Sequence, residues 1–381
     1  NFSFEMLRYP VGLIAILLVV AATGWMIRYH RSAFFVWFSG VPMSVSVIGG
    51  VLFFTLIMGL VPQHDGGHAH SHSLFGFETI TRSWPFVLLY TLLVVNLSLV
   101  TARRMLNFSW RDYAFYLNHA GLLLLLVAAG IGAADLRRYV MHVQEDTTEW
   151  RVFSESGAMI ELPVAIRLND FYMEEYIPKL AIVDKRTGES YPAGKPEMWQ
   201  IDTLVTSGSI GEWKIELKEY IHDAIRNSDS TYRRVPMPGS CPAVKVRVTN
   251  STTGFDRAGW VCGGNFAQLY MTLELNEQLS MVMTRPEPRL YRSDVVVYTK
   301  SGKAFPAQIE VNKPLKVENW FVYQYSYDQD MGKASTSSSF ELVYDPWLNW
   351  VYAGIGMFFA GSVVLIAQGN KKSKLKNDDQ L

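Results

Sequence analysis

One apolar stretch, residues 113–134, constrains the fold more than any other part of the chain. Between Asp112 and Asp135 it carries no acidic or basic residue other than His119. About 20 apolar residues in a helix cross the hydrocarbon core of a bilayer. Because an ionisable group at membrane depth is costly without a partner, His119 is a candidate functional residue. Imidazole is also a common protein ligand for haem iron.

Four further apolar segments have the length of a membrane span. They are residues 11–27, 41–61, 84–102 and 347–367. Only 18% of the residues are charged and the apolar ones cluster in blocks, which is typical of a membrane protein with one soluble domain. The formal net charge is zero, so the global charge does not indicate nucleic acid as a partner.

Basic residues between the spans predict the orientation of the chain. They lie in residues 28–31, 103–111 and 371–376, and all three segments are cytoplasmic if the N-terminus is outside. Arg137 and Arg138 oppose this assignment, but three basic segments outweigh one. Residues 136–346 are therefore expected outside the cytoplasm.

This outer region has the pattern of a β-rich domain, because β-branched and aromatic residues alternate between Gly and Pro turns. The serine-rich residues 335–339 predict a loop. Strands are predicted at residues 213–217, 244–248, 269–275, 294–299, 307–312 and 320–327.

The expected fold class is a membrane protein with an α-helical transmembrane bundle and a large β-rich extracytoplasmic domain. Residues 1–40 are expected to form an extra N-terminal transmembrane helix with a basic cytoplasmic loop. Residues 41–135 should form three transmembrane helices with a His-rich outer loop, and residues 136–346 the periplasmic β-rich domain. Residues 347–381 should form the last transmembrane helix and a charged cytoplasmic tail.

The environment of His119 allows two interpretations. It lies about 8 Å from the start of its helix, nearer the cytoplasmic face. Phe115, Tyr116, Leu122 and Leu123 share its helical face, and this apolar, aromatic wall suits a flat, apolar macrocycle. The alternative is a polar bridge between helices, with the imidazole bonded to a backbone carbonyl or to a Ser or Asn side chain.

A His-rich segment, PQHDGGHAHSHS, follows the second span and is a candidate metal site. Several neutral imidazoles can converge on one metal ion. The candidate ligands are His64, His68, His70 and His72. The alternative is an exposed, solvated loop, since Gly66 and Gly67 make the segment pliant. His142 and His222, in the outer region, lie outside any metal-like spacing.

Cys241 and Cys262 are the two cysteines, and neither belongs to a CxxC or CxxCH motif. A structural disulfide is permitted in an oxidising compartment. Two unpaired thiols and a reduced pair in a redox relay are the other interpretations.

Several segments together resemble the ResB/CcsB proteins of system II cytochrome c biogenesis. They occur in the same order along the chain, from the second span to the last. The segments are GLVPQ (59–63), HAGLLLLLVAAGIGA (119–133), LPVAIRLNDFYMEEYIP (162–178), IEVNKPLKVENWFVYQYSYD (309–328) and YDPWLNWVYAGIGMFFAG (344–361). The span at residues 11–27 departs from the family pattern as an extra helix.

The resemblance implies a multi-pass protein of the bacterial inner membrane with a CcsA/ResC-type membrane partner. Such a complex moves haem b across the membrane and joins it to the CxxCH cysteines of apocytochrome c. The resemblance implies that His119 is one axial haem ligand and that the partner supplies the other. The chain would then be part of a haem lyase complex rather than an enzyme alone. Thiol-reducing proteins are expected as further partners, and nucleic acid is not.

Two other functions remain open from the sequence. The chain could be a scaffold that stabilises its partner and binds no haem. It could also be a membrane-tethered metal sensor that uses the loop at residues 64–72.

Overall fold

The computed structural model describes residues 2–29, 31–63, 77–154 and 157–378. The chain divides into two compact units. A helical unit comprises the residues up to Arg137 and from Tyr344 onward, and a β-rich unit comprises Arg138–Val343. The predicted combination of long apolar helices with a large β-rich domain is therefore confirmed.

The helical unit contains six α-helices in its described residues. They are α1 (Val11–Arg28), α2 (Ala33–Phe38), α3 (Val41–Leu60), α4 (Trp84–Met105), α5 (Tyr113–Asp135) and α6 (Leu348–Asp378). All except α2 are long and apolar enough to cross a membrane. Pro42 and Pro85 lie in the first turns of α3 and α4, where a missing N–H costs no helical hydrogen bond. The last helix, α6, continues through most of the predicted charged tail and ends at Asp378.

Glycines bring α5 and α6 into close backbone contact. A Cβ atom on Gly121, Gly354 or Gly361 would overlap backbone atoms of the facing helix. Small residues of this kind allow membrane helices to pack without an intervening layer of side chains. The position of α5, and therefore of its polar residues, is fixed mainly by α6.

Hydrogen bonds to Asp135 hold the C-terminal end of α5 in place. Its carboxylate accepts from the Trp347 indole N–H at 2.8 Å and from the Tyr9 backbone N–H at 3.3 Å. These bonds tie the end of α5 to the segment before α6 and to the segment before α1.

The β-rich unit is built from eighteen strands in the described residues. They are β1 (Arg137–Gln144), β2 (Thr148–Phe153), β3 (Met159–Glu175), β4 (Lys179–Asp184), β5 (Ser190–Tyr191), β6 (Met198–Gln200), β7 (Ser207–Ile210), β8 (Trp213–Arg226), β9 (Tyr232–Arg234), β10 (Cys241–Asn250), β11 (Phe255–Cys262), β12 (Leu273–Glu274), β13 (Leu279–Met283), β14 (Pro288–Thr299), β15 (Ala304–Glu310), β16 (Leu315–Val317), β17 (Trp320–Tyr327) and β18 (Ser337–Tyr344).

The strands form four sheets. Two of them have the orders β11-β10-β8-β7, with β9 on β8, and β12-β13-β4-β5, with β6 on β4. The other two have the orders β1-β18-β17-β16 and β15-β14-β3-β2.

One apolar core lies between the first two sheets. Val244, Val246 and Val248 alternate along β10 and are fully buried, and they pack with Leu180 and Ile182 of β4. This period-two burial is what a strand with one core-facing side requires.

A buried polar network connects the other two sheets. The Ser293 hydroxyl of β14 lies 2.7 Å from Gln324 Oε1 of β17 and 2.6 Å from the Ser338 hydroxyl of β18. All three side chains are buried, so the network satisfies polar groups that have no access to water.

Two local predictions are wrong. The segment 269–275, predicted as one strand, contributes only the two-residue strand β12, and Leu269 and Tyr270 are exposed. The serine-rich segment 335–339, predicted as a loop, begins β18 at Ser337. Ser338 is buried because the polar network supplies its hydroxyl with partners, which a polar composition alone does not reveal.

Candidate functional site

The imidazole of His119 is held by its own helix. Its Nδ1 lies 3.1 Å from the carbonyl oxygen of Phe115, one turn earlier. Because a carbonyl oxygen only accepts, Nδ1 carries the proton and Nε2 keeps its lone pair. Among the described residues no hydrogen-bond partner is found for Nε2. The side chain is half-buried, so Nε2 is free to bind a ligand.

The neighbouring Asn118 makes the polar bridge between helices. Its Nδ2 donates to the Ser362 hydroxyl at 2.7 Å and to the Phe358 carbonyl at 3.2 Å, both in α6. The sequence left open whether His119 itself forms such a bridge. The structure gives that role to Asn118. Among the described residues, the only hydrogen-bond partner of the His119 imidazole is the Phe115 carbonyl of α5.

Phe115 and Arg104 complete the surroundings of the imidazole. The Phe115 ring stacks on His119, with ring centroids 3.8 Å apart and an interplanar angle of 27°. The Arg104 guanidinium, at the end of α4, lies 5.8 Å from the centroid of the Phe115 ring. It also forms an ion pair with Asp112, with Nη2 and Oδ2 3.0 Å apart. The Arg104 guanidinium, the Phe115 ring and the His119 imidazole therefore lie next to one another in space, in that order.

This arrangement has the chemistry of a histidine ligand. Metal-binding histidines commonly donate from the second ring nitrogen to a carbonyl, which fixes the tautomer and orients the ring. The stacked Phe115 offers an apolar face, and Arg104 offers a cation for a carboxylate. The residues thus fit a planar, apolar iron macrocycle that carries carboxylates.

An apolar cavity of about 750 Å³ lies between α1, α4 and α5. Ala120 and Leu123 contribute to its wall, but the His119 imidazole does not. The cavity is therefore distinct from the histidine site.

The predicted metal ligands His64, His68, His70 and His72 lie outside the described residues. In the described parts of the chain, no group of three or more His, Cys, Asp or Glu residues could hold a metal ion. His142 Nδ1 is hydrogen-bonded to the Ser339 hydroxyl at 2.7 Å, and His222 Nδ1 to the Tyr220 hydroxyl at 3.3 Å.

Sequence reasoning used Arg104 only as a marker of orientation and did not place it at the site. The sequence did offer one signal for this placement. Arg104 is a basic residue at the end of one span, and the span that contains His119 begins only a few residues later. Its contact with Phe115 depends on the turn between α4 and α5, where the Tyr116 hydroxyl lies 3.4 Å from the Arg104 carbonyl.

Comparison with known proteins gives one family match. A model of the ResB-like family matches residues 247–339, a segment that lies wholly in the β-rich unit and does not include α5. This match confirms the resemblance to ResB/CcsB proteins and supports a general role in cytochrome c biogenesis. No curated protein matches the chain.

Proposed function

We propose that the chain, which a model of the ResB-like family matches over residues 247–339, is a subunit of a system II cytochrome c synthase. Together with a CcsA/ResC-type partner it would carry haem b across the membrane and take part in its attachment to the CxxCH cysteines of apocytochrome c. In this proposal haem is cargo, bound transiently through His119.

The observation that carries the proposal is the free Nε2 of His119. A histidine whose Nδ1 proton is committed to the Phe115 carbonyl is a neutral ligand with one preset coordinating atom. The Asn118 bridge reinforces this argument, since the contact between α5 and α6 does not consume the imidazole.

One histidine provides one axial ligand. His119 is the only histidine among the described residues of the helical unit. The resemblance to ResB/CcsB proteins implies that a second axial imidazole would come from the partner, so that haem is shared between two chains and can be passed on. A single axial ligand such as His119 would hold a permanent haem cofactor poorly. It suits a haem that is bound transiently and then passed on.

Arg104 would bind a propionate of the haem. Its guanidinium lies against Phe115, which in turn stacks on the imidazole, so a macrocycle on Nε2 would carry its carboxylates near the same end of the helices. Asp112 now pairs with Arg104, and a propionate would compete with it.

The membrane orientation belongs to the same proposal. The basic segments between the apolar helices favour a cytoplasmic location for the His119 end of α5. Haem would then meet this ligand on entering from the cytoplasm, and the β-rich unit would face the periplasm as a platform for the partner and apocytochrome.

The decisive experiment is an absorption spectrum of the purified chain, alone and with a CcsA/ResC-type partner. His119→Ala is expected to abolish the reduced b-type spectrum, and added imidazole is expected to restore it by occupying the vacated position. His222→Ala, which removes an exposed histidine of the β-rich unit, is the matched control and should leave the spectrum unchanged.

A spectrum that persists in His119→Ala would contradict ligation by this chain. It would assign haem to the partner and leave the chain as a scaffold. The same variants should be scored for covalent cytochrome c in cells, because a scaffold would support assembly without His119.

A further inference from the structure

Cys241 and Cys262 lie side by side in the β-rich unit. Cys241 begins β10 and Cys262 ends β11, the antiparallel neighbour, where Cys262 is paired with Ala243. Their Sγ atoms are 3.1 Å apart, and the side chains are 4% and 1% exposed. Two thiols at this distance can join without any rearrangement of the sheet.

The two sulfur atoms have different surroundings. The Gly264 backbone N–H donates to Cys262 Sγ at 3.4 Å, and the Cys241 thiol is within hydrogen-bond distance of the same atom. The hydrogen bond between the two sulfur atoms lowers the pKa of Cys262, whereas the same bond, followed by burial, raises the pKa of Cys241. Cys262 is therefore the sulfur that favours the thiolate, and Cys241 holds the proton.

Residues 263–271 cover the pair, and two side-chain amides hold this cover in place. Gln268 Nε2 donates to the carbonyl oxygens of Ala224 and Gly239, each at 2.9 Å, and lies 3.5 Å from Cys241 Sγ. Asn265 Nδ2 donates to the carbonyls of Gly239 and Ser240. Leu269 and Tyr270 of the cover are 80% and 69% exposed. Met271, at its end, packs against the two cysteines and exchanges backbone hydrogen bonds with Cys262, so opening must begin at the residues before it. Local opening of such a segment costs far less than global unfolding.

We propose that Cys241 and Cys262 form a thiol–disulfide exchange site whose co-reactant is an external disulfide and whose access is controlled by the cover at residues 263–271. The site is independent of the haem proposal, because no residue of α5 takes part.

The exchange proceeds in two balanced steps. Cys262 loses its proton, and the resulting thiolate attacks one sulfur of the external disulfide, which forms a mixed disulfide and releases one thiolate. Cys241 then loses its proton and attacks Cys262 Sγ, which closes the intrachain disulfide and releases the second thiolate. The two cysteines lose two electrons and two protons, and the two released thiolates take up the protons.

The test uses the full chain in detergent, equilibrated in buffers of reduced and oxidised glutathione. After acid quenching, alkylation and digestion, mass spectrometry reports the linked peptides. We expect one reversible two-electron transition between the dithiol and a disulfide that links Cys241 to Cys262. Thiols that stay unlinked at every ratio would overturn the proposal, and so would a bond that reduced glutathione cannot reopen in the folded protein.

Two pairs of variants test the assigned roles. Cys241→Ser keeps a hydroxyl donor beside Cys262 and should form a mixed disulfide with glutathione at lower pH than Cys262→Ser does. Gln268→Ala should speed disulfide formation about tenfold by removing the bonds that hold the cover. Gln278→Ala, an exposed glutamine in the same unit, should leave the rate unchanged. Equal pH profiles would contradict the role of Cys262, and equal rates would contradict the cover.

Discussion

The contact between α5 and α6 can be tested with two glycines of α6 that lie half a turn apart. A Cβ atom at Gly354 would lie 2.7 Å from the Leu125 backbone nitrogen, 2.9 Å from Leu125 Cα and 3.0 Å from the Gly121 carbonyl oxygen. These are backbone atoms, which cannot rotate away. At Gly356 the same atom would meet nothing within 4 Å.

The magnitude follows from the difference between the two alanine variants. At Gly354 the closest contact is about 0.7 Å shorter than the 3.4 Å at which ordinary contacts begin, so the two helices must move apart. Overpacking of this size costs about 1–3 kcal/mol. Both variants also gain about 1 kcal/mol of helix propensity. Because this gain cancels in the comparison, Gly354→Ala should be about 1–3 kcal/mol less stable than Gly356→Ala.

The assay is thermal unfolding of the detergent-solubilised protein, followed by the far-ultraviolet circular dichroism of the helices. At roughly 2–4 °C per kcal/mol, the melting temperature of Gly354→Ala should lie several degrees below that of Gly356→Ala. Equal melting temperatures would refute the conclusion that the backbones of α5 and α6 are in direct contact at this position.

Two further predictions concern the β-rich unit. Gln324→Leu should lower the free energy of unfolding of this unit by about 2 kcal/mol, because the buried hydroxyls of Ser293 and Ser338 lose their shared partner. Denaturant titration measures this change, and unchanged stability would show that the network is dispensable. Burial opposes the ionisation of Asp223, but the hydrogen bond and charge of Lys333, 2.6 Å away, keep its pKa below the ordinary value of 3.8. This carboxylate therefore contributes stability above about pH 4 that is lost as pH falls through the lower folded pKa, and Asp223→Asn should flatten that part of the acid-unfolding curve.

The apolar helices could be predicted from sequence because length and composition determine them. Each predicted span coincides with one of the five long helices, since the bilayer allows few other conformations to an apolar segment of that length. The short helix α2 was missed because six residues, AFFVWF, carry no such length signal.

Strands were predicted correctly where apolar and polar residues alternate strictly. The prediction failed where contacts with distant residues determine whether a segment forms a strand. Val244, Val246 and Val248 show their buried face in the sequence itself. Ser338 gives no such signal, because its burial depends on Ser293 and Gln324, which lie far away in the chain. The apolar run at residues 269–275 looked like a strand, yet only Leu273 and Glu274 form one, and residues 269–271 belong to the cover over the two cysteines.

Of the candidate site, His119 could be predicted from the sequence, but the residues around it could not. His119 is conspicuous because it is the one imidazole in an apolar span. Its sequence neighbour Asn118 is equally polar, and a step of one residue turns the side chain by about 100° around the helix. Which of the two faces α6 is therefore set by the packing of α5 on α6, and the glycines responsible are more than 200 residues apart.

That packing explains how one short polar segment serves two purposes. Gly361 brings α6 against the backbone of Asn118, so the amide of Asn118 reaches the Ser362 hydroxyl and satisfies the need for a polar link between the helices. His119 lies outside this link, and in the described part of the chain its imidazole is hydrogen-bonded only to the Phe115 carbonyl, one turn earlier. If the helices were rotated by one residue, the imidazole would become the bridge and Nε2 would be consumed. The small residues of α6 are therefore part of the site, because they determine which polar side chain holds the helices and which one stays free for a ligand.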